Sequence, residues 1–112
     1  MPALEDTMNK VMAIVSFKLP QAQTLEQAAA TFRSTAPKYL GMPGLLRKNY
    51  FLTEDGMRAG GVYLWESRQA AERIYTLEWK AFVKSKYGND PEIVYVDTPV
   101  MVDNEQGRIA SF

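Results

Sequence analysis

The sequence predicts a single α+β domain whose elements follow the order βαββαβ. Short apolar runs bounded by turn residues alternate with two segments that carry apolar residues at helical spacing. The length of 112 residues fits one domain. Hydrophobic residues make up 46% of the chain and charged residues 23%, which is the balance of an ordinary globular protein.

The first half of the chain contains a strand, a helix and a second strand. Lys10–Lys18 is predicted as a strand with apolar residues on both faces. The segment Thr24–Gln27 has the pattern of a capping box, which opens a helix. Because Pro37 disfavours helical geometry in the residue before it, we expect this helix to end near Thr35. Leu45–Thr53 is predicted as the second strand.

A hairpin at Glu54–Gly56 leads into a third strand, Arg58–Glu66. The third strand begins with two adjacent glycines, which permit a bulge or a close approach by a ligand or backbone. A three-residue loop, which we favour, sets Asn49 opposite Gly61 on the face of the tyrosine and tryptophan that follow. A two-residue loop sets Asn49 opposite Val62, on the other face, because one residue of slip exchanges the faces.

The second half contains a long helix followed by one or two strands. Ser67 is a predicted N-cap for a helix over 68–86, in which apolar and aromatic residues recur at helical spacing. Gly88 marks the end of this segment. Glu92–Asp97 is predicted as the fourth strand, and Val100–Val102 as a short fifth.

This order predicts a ferredoxin-like fold, with an antiparallel sheet that carries its helices on one face. The first and third strands are apolar on both faces, whereas a sheet with one solvated face alternates apolar and polar residues. A second copy of the chain is the simplest cover for the remaining face, so we predict an obligate homodimer packed sheet against sheet. The domain spans 10–104, between a flexible arm (1–9) and a C-terminal tail (105–112).

Several classes of function are excluded by composition. The chain has no histidine and no cysteine, which removes thiolate nucleophiles, cysteine-based zinc sites and histidine ligands for haem. Lys+Arg and Asp+Glu are both 13, so we expect neither nucleic acid nor a membrane surface as partner. No carboxylate cluster has the spacing of metal ligands, so we expect no metal. Met1–Asn9 lacks a signal-peptide core, which predicts a cytoplasmic protein.

Several segments resemble the YdhR-like family of monooxygenases: Gly44–Phe51, Ala59–Glu66, Glu78-Trp79, Lys86–Gly88 and Pro91–Asn104. The Gly-Gly-Val-Tyr-Leu-Trp run in the second of these is the most specific. The family is similar to the antibiotic-biosynthesis-type monooxygenases. The resemblance implies a dimeric α+β barrel, in agreement with the two-sided strands.

The resemblance also narrows the chemistry. Haem-degrading enzymes, chlorite dismutases and polyketide cyclases of this superfamily typically use histidine, which this chain lacks. The remaining branch consists of cofactor-independent oxygenases. In that branch the substrate is a phenol or anthrone-like ring whose anion gives an electron directly to dioxygen. The alternatives are a non-catalytic barrel that binds a small ligand, and an isomerase or lyase that uses a tyrosine or carboxylate.

Three residues are predicted to be catalytic. Asn49 lies within a strand, where asparagine is uncommon, and its amide could hydrogen-bond a bound phenolate or peroxide. Tyr63 and Trp65 share one face of the third strand. The alternative interpretations are an edge residue facing water for Asn49, and core or interface packing for the two rings. Five further side chains are predicted to bind the substrate: Arg47, Phe51, Tyr75, Trp79 and Phe82.

Overall fold

A computed structural model describes residues 9–112. The predicted N-terminal arm therefore lies, up to residue 8, outside the described residues. The strands are β1 Val11–Lys18, β2 Leu45–Leu52, β3 Arg58–Trp65, β4 Glu92–Asp97, β5 Val100–Asp103 and β6 Arg108–Ser111. The helices are α1 Leu25–Thr35, α2 Arg68–Ile74 and α3 Leu77–Tyr87, with a 3-10 turn at Ala36–Lys38.

Strands β1 to β4 form one antiparallel sheet in the order β2-β3-β1-β4. The first strand is thus central, paired with β3 on one side and β4 on the other. The predicted ferredoxin-like α+β fold is confirmed. Within 9–112 no helix is long and apolar enough to cross a membrane.

Helix α1 begins and ends as predicted. The Thr24 side chain accepts a hydrogen bond from the Gln27 backbone, and the Gln27 side chain accepts one from the Thr24 backbone. This reciprocal cap satisfies two backbone donors that the first turn leaves without partners. The 3-10 turn that follows carries Pro37, and α1 ends at Thr35.

The prediction of one helix over 68–86 is wrong, because the segment is broken after Ile74. Tyr75 leaves helical geometry (ψ 59°), and the side chain of Thr76 then caps α3 by accepting from the Trp79 backbone at 3.2 Å. Ser67 caps α2 as predicted. The break preserves the aromatic pattern, since the Tyr75 and Trp79 rings lie 4.8 Å apart in the core.

The favoured hairpin register is also wrong. Asn49 pairs with Val62, as in the alternative register, and the backbone N–H of Thr53 donates to the Arg58 carbonyl at 2.9 Å. The Asp55 carboxylate accepts from the Met57 backbone at 3.0 Å and holds a longer loop than either prediction assumed. The loop also docks on a distant segment, because Gln23 N–H donates to the Gly56 carbonyl at 3.0 Å.

The two faces of the sheet differ in their cover. Val15, Tyr63 and Trp65 point toward the helices and expose 2%, 2% and 0% of their surface. On the opposite face, which we call the open face, Ile14 exposes 37%, Val94 55% and Val96 38%. The other apolar members of the open face are Met12, Phe51, Val62 and Leu64.

The C-terminal tail predicted at 105–112 contains a strand. Strands β5 and β6 form a separate two-stranded hairpin, and the Asp103 carboxylate accepts from the backbones of Glu105 and Gln106 in its turn. Three large side chains of this hairpin are mostly exposed: Val100, Val102 and Ile109. The described chain is elongated, with extents of 50 × 33 × 22 Å.

Candidate functional site

A pocket opens between α3, the 3-10 turn and the helix-facing side of the sheet. Its cavity volume is only about 20 Å³. That space holds about one water, so the pocket is nearly filled by its own side chains. The polar and aromatic side chains that line it are Thr35, Tyr39, Lys48, Tyr50, Tyr63, Trp79, Phe82 and Tyr87.

Lys48 reaches from β2 into the lining of this pocket. Its Nζ lies 3.4 Å from the ring centroid of Tyr39, 3.9 Å from that of Tyr50 and 4.5 Å from that of Tyr63. An ammonium is attracted to the faces of aromatic rings at such distances. We call Lys48 and these three rings the lysine cage.

The environment of Lys48 disfavours its charged form. Burial, and then the nearby charge of Lys38, lowers the pKa of Lys48 to about 7. Burial has this effect because an ammonium loses its hydration in a medium of low polarity. Among the described residues the pocket lining includes no carboxylate, and the three ion pairs involve other basic side chains. Lys48 is therefore able to exchange a proton near neutral pH.

Gly61 makes room for the lysine cage. A Cβ at position 61 would lie 3.0 Å from Cε of Lys48 and 3.1 Å from the Tyr63 ring. A larger residue would require the lysine stem or the Tyr63 ring to shift by a few tenths of an ångström. The sequence predicted a close approach by a ligand or backbone at this pair of glycines. At Gly60 the Val15 backbone carbonyl makes that approach, and at Gly61 the approaching group is the Lys48 side chain.

Hydrogen bonds hold two of the cage rings in place. The hydroxyl of Tyr39 accepts from Nε1 of Trp79 at 3.0 Å, and the hydroxyls of Tyr50 and Thr35 are 2.8 Å apart. Burial raises the pKa of Tyr63 far above its ordinary range and raises that of Tyr50 as well. These phenols stay neutral, so they can donate hydrogen bonds but bring no negative charge to Lys48.

Three of the predicted site residues, Tyr63, Trp79 and Phe82, line the pocket. Tyr63 comes from the centre of β3, whereas the other two come from successive turns of α3. Phe82 is half-buried, and Nζ of Lys38 lies 3.9 Å from its ring centroid. The structure therefore brings these three together around the lysine cage.

Trp65 and Tyr75 lie deeper, in the core beside the pocket. Trp65 is fully buried, and its Nε1 donates to the Tyr75 hydroxyl at 3.0 Å. The two rings meet edge to face, with centroids 5.7 Å apart and planes at 86°. Burial raises the pKa of Tyr75 well above its ordinary range. This pair supports the pocket from below and does not line it.

The other three predicted residues lie away from the pocket. In the observed register Asn49 and Phe51 point to the open face, and Asn49 is exposed. Phe51 covers Gly60, whose missing Cβ would lie 2.9 Å from the Phe51 ring. Arg47 is exposed on β2, beside a bulge at the edge of the sheet, and lines a more open groove outside the pocket. The expected grouping of Asn49 with Tyr63 and Trp65 is therefore wrong, because it depended on the other register.

Sequence reasoning missed Lys48, Tyr39 and Tyr50. A lysine in a strand ordinarily indicates a solvated face, and a tyrosine after a 3-10 turn has no functional signature. The available signal was the Gly60-Gly61 pair, since only a glycine in β3 leaves space for a long side chain from β2. That signal becomes readable only when the register of the hairpin is known.

Acidic side chains do not cluster in the part of the chain that the structure describes. Within 9–112 no group of three or more Asp or Glu side chains is close enough to hold a metal ion. What the pocket offers is different: a ring-lined cleft, neutral phenol donors and one amine of lowered pKa.

Comparison with known proteins finds solved structures of similar fold but no match in sequence. No family model matches the sequence, and no curated protein is similar enough in sequence to be matched. Several solved structures are similar. ActVA-Orf6, a monooxygenase from Streptomyces coelicolor solved with Nanaomycin D, has a TM-score of 0.63 at 19% identity, covering 85% of this chain and 92% of its own.

Two further structures extend the comparison. SnoaB, a cofactor-independent oxygenase from Streptomyces nogalater, has a TM-score of 0.60 at 15% identity, with 80% and 93% of the chains covered. A Bordetella bronchiseptica protein, provisionally assigned as an antibiotic biosynthesis monooxygenase, has a TM-score of 0.54 at 19% identity, with 80% and 97% covered. Other similar structures are of proteins of unknown function. At these identities the likeness establishes a shared fold.

Proposed function

We propose that this chain is a cofactor-independent monooxygenase, YdhR-like in kind, that oxidises a small phenolic or quinone-like aromatic with dioxygen. The observation that carries the proposal is the ring-lined pocket with one amine and, among the described residues, no carboxylate. A site of this composition suits a flat apolar substrate that becomes an anion. The fold shared with two oxygenases supports the same conclusion.

The reaction needs no external reductant. Loss of a proton from the substrate gives an electron-rich anion, which transfers one electron to dioxygen; the resulting radical and superoxide then combine to a peroxide at a ring carbon. Collapse of the peroxide breaks the O–O bond. One oxygen stays on carbon as a carbonyl, and the other leaves as water with the two hydrogens that the substrate lost.

In this proposal the pocket residues bind the ring and stabilise the oxygen atoms. Phe82 and Trp79 pack against the ring, and the hydroxyls of Tyr39 and Tyr63 donate hydrogen bonds to oxygen atoms of the substrate or peroxide. Trp65 fixes the position of this wall from the core. In this proposal Asn49 has no part in the pocket, since it points to the open face.

The pocket must open to admit a ring, because the reachable space is about 20 Å³. A more open groove lies directly outside it, and Lys48, Tyr39 and Tyr50 line both. We expect a substrate to enter from this groove as the lysine side chain moves aside.

We also propose that the protein is a homodimer. The apolar open face and the exposed β5–β6 hairpin are supporting features, since contiguous apolar surface of this kind is rare on monomers. Analytical ultracentrifugation tests this: a stable, well-folded monomer at micromolar concentration would contradict it. The cytoplasmic location stays a prediction from the sequence.

Oxygen uptake tests the proposed activity. Purified protein should consume dioxygen with at least one member of a panel of anthrones, hydroquinones and flavonols, without flavin, metal or nicotinamide. One molecule of product should form for each molecule of dioxygen consumed, and no hydrogen peroxide should be released. Tight binding of these compounds without any uptake would instead support the alternative, a barrel that only binds small ligands.

A matched pair of variants on α3 ties the activity to the pocket. Phe82→Ala removes a wall of the pocket and should raise KM by about tenfold, equivalent to ~1.4 kcal/mol of lost binding. Leu77→Ala removes a side chain that is 84% exposed on the same helix and should leave KM unchanged. Equal effects of the two changes would show that the substrate binds elsewhere.

A further inference from the structure

We propose that Lys48 is the catalytic base of this pocket, and that the substrate is a phenol or enol whose acidic hydroxyl is set against Nζ. The inference rests on the proposed oxygenase function and deepens it, because it names the group that a substrate must carry and the residue that ionises it. Neither the resemblance in sequence nor the likeness in fold assigns a role to this lysine.

The lysine cage is an incomplete site for a cation. An ammonium group has three hydrogen-bond donors, and in the cage it faces the rings of Tyr39, Tyr50 and Tyr63 at 3.4 to 4.5 Å. Ring faces attract a cation but do not replace an anion or a full set of acceptors. A phenolate at this position would supply the missing negative charge.

No charge of the protein competes with that anion. The titratable and charged groups that face Lys48 from its own strand and the elements packed around it are Lys38, Arg47, Tyr39, Tyr50, Tyr63 and Tyr87. Burial raises the pKa of Tyr87 to about 12 and raises the pKa values of Tyr50 and Tyr63 above their ordinary range, so these three phenols stay neutral. Lys38 is a second cation, so its field also favours a bound anion.

The position of Lys48 suits proton transfer at the entrance. The side chain stands between the inner pocket and the outer groove, and it lines both. Its stem rests over Gly61, with Cε 3.0 Å from where a Cβ would be. A ring that enters displaces the ammonium toward the groove, which leaves Nζ beside the edge of the ring that faces outward.

The proposed step is a transfer of one proton. The O–H bond of the substrate breaks, an N–H bond forms at Nζ, and the neutral amine becomes an ammonium paired with the phenolate. A pKa near 7 leaves a large share of Lys48 neutral at neutral pH, so the amine can accept this proton. After the peroxide collapses, the ammonium returns the proton to the oxygen that leaves as water.

A dye that cannot be oxidised tests the site without any turnover. 4-Nitrophenol is coloured only as its anion, so absorbance reports the ionisation of the bound dye. With the unmodified protein its apparent pKa on binding should fall by about one unit or more. Lys48→Met should raise that pKa instead, because the cage becomes wholly apolar. Lys48→Arg should lower it, because a permanent cation remains.

The control for this experiment is Lys86→Met, which removes an exposed lysine from the last turn of α3. It should bind and ionise the dye as the unmodified protein does. Failure of the dye to bind, or the same apparent pKa with and without the Lys48 amine, would overturn the inference. Circular dichroism checks the fold of each variant.

A labelling experiment tests the same site in the unmodified chain. Acetic anhydride acylates the neutral amine of Lys48, and mass spectrometry measures the extent of this labelling. Bound 4-nitrophenol should protect Lys48 from acylation; an unchanged extent of labelling would contradict the site.

Turnover separates this inference from the proposed function. kcat/KM should rise with pH through about 7 as Lys48 loses its proton. Lys48→Met and Lys48→Arg should both lower kcat/KM by roughly 100-fold, since neither can accept the proton. Lys38→Met should move the rise to higher pH, because a like charge is removed. An undiminished rate of oxygen uptake in both Lys48 variants would refute the role of Lys48 as base and leave the proposed oxygenase activity standing. Ionisation of the dye without any oxygen uptake would refute the oxygenase and leave the phenol site.

Discussion

The two faces of the four-stranded sheet are alike in composition but differ in how they are completed. The helix-facing side is closed by rings that hydrogen-bond one another, as in the contact of Trp65 with Tyr75. The open face presents Ile14, Val94 and Val96 to solvent. The helix-facing side is therefore covered by the chain itself, whereas the open face leaves a contiguous apolar surface exposed. Neighbouring residues of one strand can be used to test this difference.

The largest contrast is expected on β1, between Val15 and Ile14. Val15→Glu places an unpaired carboxylate where only 2% of the side chain is exposed and should cost about 3–5 kcal/mol or prevent folding. Ile14→Glu should leave the fold intact and disrupt the proposed dimer, because it would place a carboxylate within an apolar interface. Sedimentation and thermal unfolding distinguish the two outcomes; a dimeric Ile14→Glu variant would contradict the proposed interface.

On β3 the same contrast compares Trp65 with Leu64. Trp65→Ala empties a site that is fully buried and should lower the free energy of unfolding by about 3–5 kcal/mol. Leu64→Ala should lower the free energy of unfolding by less, and the loss should depend on protein concentration, because this side chain lies on the open face, where the proposed dimer forms. Urea unfolding at two protein concentrations measures both. A concentration-independent loss of equal size would mean that the faces do not differ.

Stability should depend on pH through the lysine cage. Burial lowers the pKa of Lys48 to about 7 from an ordinary value of 10.5. Below about pH 7 the folded chain bears the full cost of the buried ammonium. Between these values the unfolded chain holds a proton that the folded chain has lost, so the free energy of unfolding should rise with pH.

This rise is best measured from about pH 7 to about pH 9, because the raised pKa values of the tyrosines act with opposite sign above about pH 10. In the Lys48→Met variant, measured by chemical unfolding in the same buffers, the free energy of unfolding should no longer rise over this pH range. The same slope in both proteins would exclude Lys48 as its origin.

The smallest effect concerns a single hydroxyl. Tyr75→Phe leaves the Trp65 N–H without its acceptor in the core and should cost about 1–3 kcal/mol. Tyr95→Phe is the matched change at a half-buried ring on the edge strand β4 and should be nearly neutral. Thermal unfolding of the two variants is sufficient; equal melting temperatures would mean that the buried hydrogen bond contributes nothing.

The order of elements was predictable because it is a local property of the chain. Capping at Thr24 and Ser67 and the apolar pattern of β1 are visible in short windows of sequence. The register of the hairpin was not, since it depends on a loop that docks on the backbone of Gln23. The break at Thr76 was hidden because the aromatic spacing continues through it.

The site was less predictable than the fold. Tyr63, Trp79 and Phe82 were found because large rings on the inner face of a sheet and helix tend to line pockets. Asn49 was favoured because it is polar in a strand, and its neighbour Lys48 was passed over because lysine usually faces water. The faces of these two residues were decided by one step in register.

The central position of β1 also has a consequence for how the chain is made. Among the described residues this strand is the first element, but both of its neighbours, β3 and β4, come after residue 57. A nascent chain therefore carries an apolar segment whose first partner, β3, follows only after α1 and β2, and whose second partner, β4, follows only after α2 and α3. Such long-range pairing is slow and leaves strands open to aggregation. We expect folding of this protein to begin late and the yield of soluble protein to fall when synthesis is fast.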